Sequence, residues 1–331
     1  MKNIILTDFK THQNWPFLKI LGKGNWDVYC KITNHLHGSL VKTLLRYAIY
    51  FLFPLKLVLL RRRYGKIIAW QQFYGLNFAF WCRLLHLKKV NDLTVMTFIY
   101  KKKSGGGNWL YHRYISYIVT SRYIDRFICF SKEECSYYAD LFGVDIGKFV
   151  YVPLGKMVSD TLNVGDDGYI FATGRSNRDY DFLLDTLNGT DYKCIIACDS
   201  LHLKNSPVNV SVLNDCYGDD MQRLMARCHC VAIPLRDLKM SSGQLVVLQA
   251  MAMGKPVICT SSDGIKDYVQ NGVTGLLVDN DKESWLAAID QLYAPDGCYR
   301  EMSKNAEKAY LNSFTEEAML QRIGRVVNGN V

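Results

Sequence analysis

Short apolar segments alternate with helical segments along most of this chain, and this alternation constrains the fold more than any other feature. One series runs from Asn3 to Pro153, and a second begins at Tyr169. Between them, Met157–Asp167 is polar and predicts a linker. Apolar strands that alternate with helices are typical of parallel sheets covered on both faces. The sequence therefore predicts an α/β protein with two doubly wound, Rossmann-like domains.

The length and the cysteine content agree with this organisation. A chain of 331 residues, of which 49% are apolar, is long enough for two domains with cores of their own. We place the first domain at residues 1–156, the second at 157–312 and a terminal helix that packs back on the first domain at 313–331. The eleven cysteines follow no zinc or redox spacing, and the N-terminus lacks a signal-peptide pattern. Both features favour a reducing cytoplasm.

Charge is distributed unevenly between the two halves. Residues 1–155 carry a net charge of +15, whereas residues 156–331 carry −6. From Val28 to Asn91 there are eleven basic residues and no acidic one. Solvated surfaces usually mix both signs, so this stretch indicates an anionic partner.

The most apolar part of the acid-free stretch runs from Gly38 to Arg63 and predicts a helix. Its longest uncharged run, Tyr47–Leu55, covers nine residues and is interrupted by Pro54, whereas a membrane span needs about twenty residues. We therefore predict a helix that lies in an anionic membrane interface rather than one that spans the bilayer. A core helix with a basic exposed face is the alternative.

The most specific motifs lie in Ser241–Val278, which contains LQAMA, GKPVI, DGIKDYV and NGVTGLLV in that order. This series resembles the donor-binding half of the GT-B glycosyltransferases, in particular the large retaining family 4. The resemblance is clear over residues 169–292. It implies a GT-B fold, with two Rossmann-like domains and a cleft between them. It also implies a nucleotide-sugar donor, UDP- or GDP-linked, as co-substrate, with no cofactor.

The start of this motif is a candidate donor site. Ser241, Ser242, Gly243 and Gln244 lead into a predicted helix, whose N-terminal N–H groups can hold a diphosphate or sugar hydroxyls. Gly243 lets a ligand approach the backbone closely, and Gln249 lies two turns along, within reach of a ribose. We assign Ser241 a catalytic role and the other four donor binding. The alternative is an N-cap serine, a turn glycine and a surface glutamine.

A second candidate turn follows the predicted strand YIFAT. Gly174 and Ser176 are assigned to donor binding, and Arg175 matches the arginine that contacts the diphosphate in the family. Tyr180 stands at the position of the family's lysine, and we expect Arg178 to substitute for that lysine. Two guanidinium groups suit an anionic leaving group, whose neutralisation is the main catalytic demand when no metal is present. Helix-capping charge is the alternative.

The chain departs from the family at the two positions where its members carry glutamates. These positions hold Ser241 and Gln249. The glutamine can still bind hydroxyl groups, but the serine is shorter and uncharged. The donor sugar, the stereochemical outcome and the activity itself therefore stay open.

The resemblance places the acceptor in the first domain, where the sequence shows no acceptor motif. Asp8 and Asp27 are the only acids before Asp92, so each is a candidate base if the enzyme inverts. Neither Asp166-Asp167 nor Asp219-Asp220 lies in a loop suited to a metal–diphosphate site.

These observations predict a metal-independent glycosyltransferase at the inner face of the cell membrane. It would transfer sugar to a lipid-linked or oligosaccharide acceptor in surface-polysaccharide biosynthesis. A second hypothesis is a catalytically inactive subunit that binds sugar nucleotides. A third is a basic nucleic-acid-binding protein, which is disfavoured because the basic stretch is apolar and carries no nucleic-acid-binding motif.

Overall fold

The computed structural model describes residues 1–11, 15–22, 25–33, 35–36, 39–100, 107–158, 162–203, 205–239, 241–295 and 297–329. The chain forms two compact units, Met1–Val152 with Leu320–Val331, and Pro153–Met319. The terminal segment expected at 313–331 is thus divided between the units. Parts of the predicted linker and of the acid-free stretch lie outside the described residues.

The first unit contains a six-stranded parallel sheet in the order β2-β1-β3-β4-β5-β6. Its strands are β1 (Lys2–Thr7), β2 (Trp26–Cys30), β3 (Tyr64–Ala69), β4 (Asp92–Val95), β5 (Arg126–Cys129) and β6 (Phe149–Tyr151). Its helices are α1 (Pro16–Ile20), α2 (Leu40–Leu60), α3 (Gln72–Leu84), α4 (Gly107–Val119) and α5 (Lys132–Phe142). The apolar run Leu93–Tyr100 extends beyond the end of β4, because the backbone turns at Thr97, where φ is +54°.

Helix α2 confirms the helix predicted in the acid-free stretch. Pro54 lies inside it without breaking it, so the expected interruption is wrong. Among the described residues, Leu40–Arg63 is the one helical segment whose length and composition would allow it to cross a membrane. One side of α2 is nevertheless buried within the unit, through Tyr50, Pro54, Leu57 and Val58.

The second unit contains a six-stranded parallel sheet in the order β12-β11-β10-β7-β8-β9. Its strands are β7 (Ile170–Thr173), β8 (Cys194–Ala197), β9 (Val210–Leu213), β10 (Cys230–Ile233), β11 (Val257–Thr260) and β12 (Leu276–Val278). Its helices are α6 (Tyr180–Leu187), α7 (Gly218–Arg227), α8 (Gln244–Ala252), α9 (Lys282–Tyr293), α10 (Tyr299–Ala309) and the start of α11 (Glu316–Asn328). Every side chain of β7, β10 and β11 is buried, which explains their continuous apolar sequences.

Each sheet has one point where the direction of chain progression reverses. In the first unit, β2 lies on one side of β1 and β3 to β6 lie on the other, so the reversal is between β1 and β3. In the second unit it lies between β7 and β10. Ligands of doubly wound sheets bind outside the carboxyl ends of the strands at such switch points. The prediction of two doubly wound units is confirmed, and each unit has a defined place for a ligand.

Candidate functional site

The switch point of the second unit brings the two predicted motifs together. The turn after β7 begins at Gly174, and the loop after β10 leads into α8. Asn177 Nδ2 in the turn donates to Ser242 Oγ in the loop, at 2.9 Å. Arg178 and Leu235 add an antiparallel bridge between the same segments. Residues 57 and 65 positions apart in sequence therefore meet at one edge of the sheet.

Gly174 is required by the conformation of the first turn. Its φ is +106°, and a Cβ placed on it would stand 2.8 Å from Nη2 of Arg178. Tyr180 OH donates to the Gly174 carbonyl oxygen at 2.6 Å, and burial raises the pKa of this phenol. Tyr180, which stands at the family's lysine position, is thus a neutral hydrogen-bond donor that holds the turn in place.

Arg178 lies beneath this turn and is only 8% exposed. Its Nε donates to the Thr173 carbonyl and its Nη1 to the Ser176 carbonyl, both at 3.0 Å. Burial lowers the pKa of the guanidinium, but an arginine stays charged in proteins. No carboxylate among the described residues pairs with it. The expectation that Arg178 takes the place of the lysine as a second diphosphate contact is therefore corrected: Arg178 is buried, supports the turn and supplies positive charge from below.

Arg175 faces outward, with 72% of its side chain exposed. Its Nη1 lies 3.1 Å from Oδ2 of Asp199, which follows β8. The other carboxylate oxygen of Asp199 is buried and has no hydrogen-bond partner among the described residues. Exposed ion pairs contribute about 0–1 kcal/mol, so an anionic ligand can draw Arg175 away from Asp199 at little cost. Ser176, the next residue, is exposed as well.

The N-terminus of α8 has no side-chain cap. Gly243 occupies the N-cap position with a φ of +92°. Ser241 Oγ accepts a hydrogen bond from Gln244 Nε2, and Ser242 accepts the one from Asn177. The alternative of an N-cap serine is therefore wrong. The uncapped N–H groups and the helix dipole suit an anion.

Gln249 is 9% exposed, yet its side-chain amide makes no hydrogen bond to any residue that the structure describes. Buried polar groups are normally paired, and an unsatisfied one costs about 1–3 kcal/mol. Its amide atoms are not among the fully enclosed, unpaired atoms of the chain. The interpretation of a surface glutamine is wrong, and the amide is available to hydroxyl groups of a ligand.

Three further residues of this site were not identified from the sequence. Asn177, with a φ of +58°, joins the two loops, and Asp199 holds Arg175. Gly264 follows β11, and a Cβ there would stand 2.7 Å from Ser241 Oγ. Each of these residues contacts a segment distant in sequence. Only its place just after a strand of the parallel sheet could therefore have indicated that it belongs to the site.

Three of the four aspartates considered for a metal have partners within the protein. Asp166 lies 2.7 Å from His229 Nδ1, and Asp167 pairs with Arg227. Asp220, at the start of α7, lies 3.4 Å from Arg223. Within the described ranges no group of three or more His, Cys, Asp or Glu is arranged to hold a metal ion.

Comparison with known protein families identifies the second unit. Residues 169–295 match the family model for glycosyl transferases group 1. Over this segment the chain is therefore similar to that glycosyltransferase family. The matched residues include both turns of the switch point and the whole of α8.

Curated relatives of the glycosyltransferase segment are similar over short alignments. The lipopolysaccharide core biosynthesis glycosyltransferase LpsE of Rhizobium meliloti is 31% identical over 75 residues, which is 22% of each chain. The D-inositol 3-phosphate glycosyltransferase of Salinispora tropica is 31% identical over 99 residues, 30% of this chain and 20% of the relative. The chain thus aligns with about a fifth of the length of these relatives.

Solved structures match the whole chain, at low identity. Anabaena HepE in complex with UDP has a TM-score of 0.70 and 17% identity, and the match covers 99% of this chain and all of that one. Sucrose-phosphate synthase from Thermosynechococcus elongatus has a TM-score of 0.69 and 15% identity, with 99% of both chains covered. At these identities the likeness shows the fold alone. The expected GT-B fold is confirmed.

Proposed function

We propose that this protein is a glycosyltransferase of the hexosyltransferase type. It moves a sugar from a nucleotide-sugar donor to a lipid-linked or glycan acceptor in cell-surface polysaccharide biosynthesis, without a metal. The observation that carries the proposal is the amide of Gln249, which has no hydrogen-bond partner among the described residues and lies on the same helix as an uncapped N-terminus. The family match and the UDP bound by HepE support the donor class.

The proposed reaction makes one demand on this site. An acceptor hydroxyl oxygen forms a bond to the anomeric carbon, the bond from that carbon to the diphosphate oxygen breaks, and the hydroxyl proton passes to the departing diphosphate or to water. The departing nucleoside diphosphate carries the electron pair of the broken bond. Arg175 and the N–H groups at Gly243 lie where they can bind this charge, with Arg178 adding a positive field from below. Such prearranged donors stabilise the transition state more than the ground state.

Isothermal titration calorimetry with UDP-, GDP-, dTDP- and ADP-linked sugars tests the donor assignment. We expect one nucleotide to bind, and Gln249→Leu to weaken its binding about tenfold, because 1.4 kcal/mol corresponds to one lost hydrogen bond of ordinary strength. Gln291→Leu is the matched control, since Gln291 is an exposed glutamine of the same unit. Absence of binding by every nucleotide sugar would overturn the proposal.

A catalytically inactive subunit is the second candidate, and Ser241 favours it. Its hydroxyl is occupied by Gln244 and cannot carry the charge of a glutamate. The two candidates differ in turnover. An enzyme releases nucleoside diphosphate when acceptor is added, whereas a binding subunit retains the intact donor.

We also propose that the protein is peripheral on the cytoplasmic face of the membrane, through α2. Several large apolar side chains of this helix are at least half exposed: Leu40, Val41, Leu44, Leu45, Tyr47, Leu52 and Leu59. Basic residues accompany them: Lys42, Arg46, Lys56 and Arg61–Arg63. Large exposed apolar surfaces mark interaction sites, and basic neighbours favour an anionic bilayer. The buried side of α2 supports an interfacial position rather than a span.

A further inference from the structure

The ion pair between Arg175 and Asp199 joins two loops at the carboxyl edge of the second sheet. Thr173 and Ala197 are register partners at the ends of β7 and β8, and each charged residue follows its strand two positions later. The hydroxyl of Thr173 also donates to the Ala197 carbonyl oxygen at 3.0 Å, which fixes the two strand ends against each other. A carboxylate is therefore built into the place where the donor diphosphate is proposed to bind.

The loop that carries Asp199 is held by Asn214, which follows β9. The Nδ2 of Asn214 donates to the carbonyl oxygens of Cys198 and Leu201, at 2.7 and 2.8 Å. Asp199 lies between these two anchored residues, and its side chain is less than one-third exposed. The side chain of Arg175 is mostly exposed. The pair can therefore open by movement of the arginine, while the carboxylate stays in place.

The carboxylate of Asp199 contributes little to folding. Its Oδ2 lies 3.1 Å from Arg175 Nη1, whereas its Oδ1 is buried and has no hydrogen-bond partner among the described residues. An unsatisfied buried oxygen destabilises the folded state, and an exposed ion pair offsets little of that cost. The aspartate is therefore better explained by its effect on Arg175 than by stabilisation of the loop.

We propose that Asp199 is a counter-ion that competes with a bound diphosphate for the guanidinium of Arg175. The two anions share one partner, so each weakens the binding of the other. Arg178 does not take part in this exchange, because it is buried and donates to the carbonyls of Thr173 and Ser176. The competition favours release of the nucleoside diphosphate product, whose terminal phosphate is no longer esterified and carries additional negative charge. This inference rests on the proposed transferase function and assigns Asp199 as a positioning residue that regulates its donor site.

Isothermal titration calorimetry of the full chain with UDP, GDP, dTDP and ADP tests this assignment. We expect Asp199→Asn to bind the preferred nucleoside diphosphate about fivefold more tightly than the wild type, a ratio that corresponds to about 1 kcal/mol, the upper value for an exposed ion pair. Asp199→Ala should change the affinity in the same direction. Replacement of a residue that only supported the fold would weaken binding or leave it unaltered, so a gain in affinity is specific to competition.

Asp181→Asn is the matched control for the loss of one negative charge. Asp181 is an exposed acid of α6, close to the same turn, and pairs with Arg236 instead of Arg175. Its replacement should change the affinity less than about twofold, because it does not release Arg175. An equal gain in Asp181→Asn would overturn the inference, because it would show a general repulsion of phosphate.

The outcomes separate this inference from the proposed function. A wild-type protein that binds a nucleoside diphosphate, with unaltered or weaker binding in Asp199→Asn, overturns the role of Asp199 and leaves the donor site intact. A wild-type protein that binds none of the four diphosphates and no nucleotide sugar overturns the proposed function instead. Melting temperatures of the variants verify that each is folded.

Discussion

Arg175 and Arg178 stand three positions apart and serve different purposes. The guanidinium of Arg178 donates to the carbonyl oxygens of Thr173 and Ser176, so truncating this side chain removes a hydrogen bond from each carbonyl. Arg175 is exposed, and its one ion pair, with Asp199, contributes little to folding. Only Arg175 can therefore be substituted as a clean test of charge at the diphosphate position.

We expect Arg175→Ala to lower kcat/KM by about 10²–10³, the loss found when one charge-stabilising donor is removed from an active site. The melting temperature should change little. Arg175→Lys should recover part of the activity, since it keeps the charge but not the fork of donors. Arg236→Ala is the control, because Arg236 is exposed nearby and pairs with Asp179 and Asp181. Unaltered turnover in Arg175→Ala would remove the diphosphate assignment.

The proposed metal independence depends on the same site. Guanidinium and amide groups supply the positive charge at the switch point. Asp166, Asp167 and Asp220 of the second unit pair with His229, Arg227 and Arg223 respectively. We expect turnover to persist in excess EDTA and to change less than about twofold on adding Mn²⁺ or Mg²⁺, because in the proposed mechanism these groups supply the charge that a metal would otherwise supply. Initial rates after dialysis against chelator measure this. Strict dependence on either ion would contradict the metal-free mechanism.

Helix α8 ties local conformation to ligand binding through Gly243. The backbone φ of Gly243 is +92°, and a Cβ added there would stand 3.1 Å from Ile233 Cγ2. We expect Gly243→Ala to lower the free energy of unfolding by about 1–3 kcal/mol and to weaken nucleotide binding, because the strained backbone moves the N–H groups of α8. Denaturation and calorimetry measure the two effects.

Gly189→Ala is the matched control for this change. Gly189 has a φ of +78°, but a Cβ there meets no atom within 4 Å. Gly189→Ala should lower the free energy of unfolding by about 1–2 kcal/mol through backbone strain and leave nucleotide affinity unchanged. Equal affinities in both variants would show that the N-terminus of α8 does not contact the ligand.

The elements were largely predictable because they depend on local pattern. The four-residue strands β7, β10 and β11 are buried on both faces, and their continuous apolar runs gave their positions. Pro54 was misjudged, because the rule that proline interrupts a helix ignores packing that holds α2 together around a buried ring. Arg178 was misjudged for a related reason, since its burial depends on loops that meet only in the folded sheet. Asp199 stands in no recognised motif, and the DGIKDYV motif contains Gly264 but does not reveal its contact with Ser241.

At the scale of the whole molecule, the two halves of the chain differ in charge, +15 against −6. An anionic surface attracts the first half and repels the second, so electrostatics alone gives the chain a preferred half for membrane contact. The exposed apolar residues of α2 lie in the attracted half. Electrostatic attraction is screened by salt, with a Debye length of about 10 Å at 0.1 M and about 3 Å at 1 M.

We therefore expect the full chain to sediment with vesicles that contain phosphatidylglycerol and not with pure phosphatidylcholine vesicles. Each basic residue near such a surface contributes about 1 kcal/mol, so Arg62→Gln with Arg63→Gln should weaken binding roughly tenfold or more. Leu44→Glu should weaken it as well, whereas Leu311→Glu, at an exposed leucine of the second unit, should not. Release by 1 M salt identifies a peripheral protein. Retention through alkaline carbonate extraction would show that α2 spans the bilayer, because a helix inserted through the hydrocarbon core is held by apolar burial that neither salt nor alkali removes.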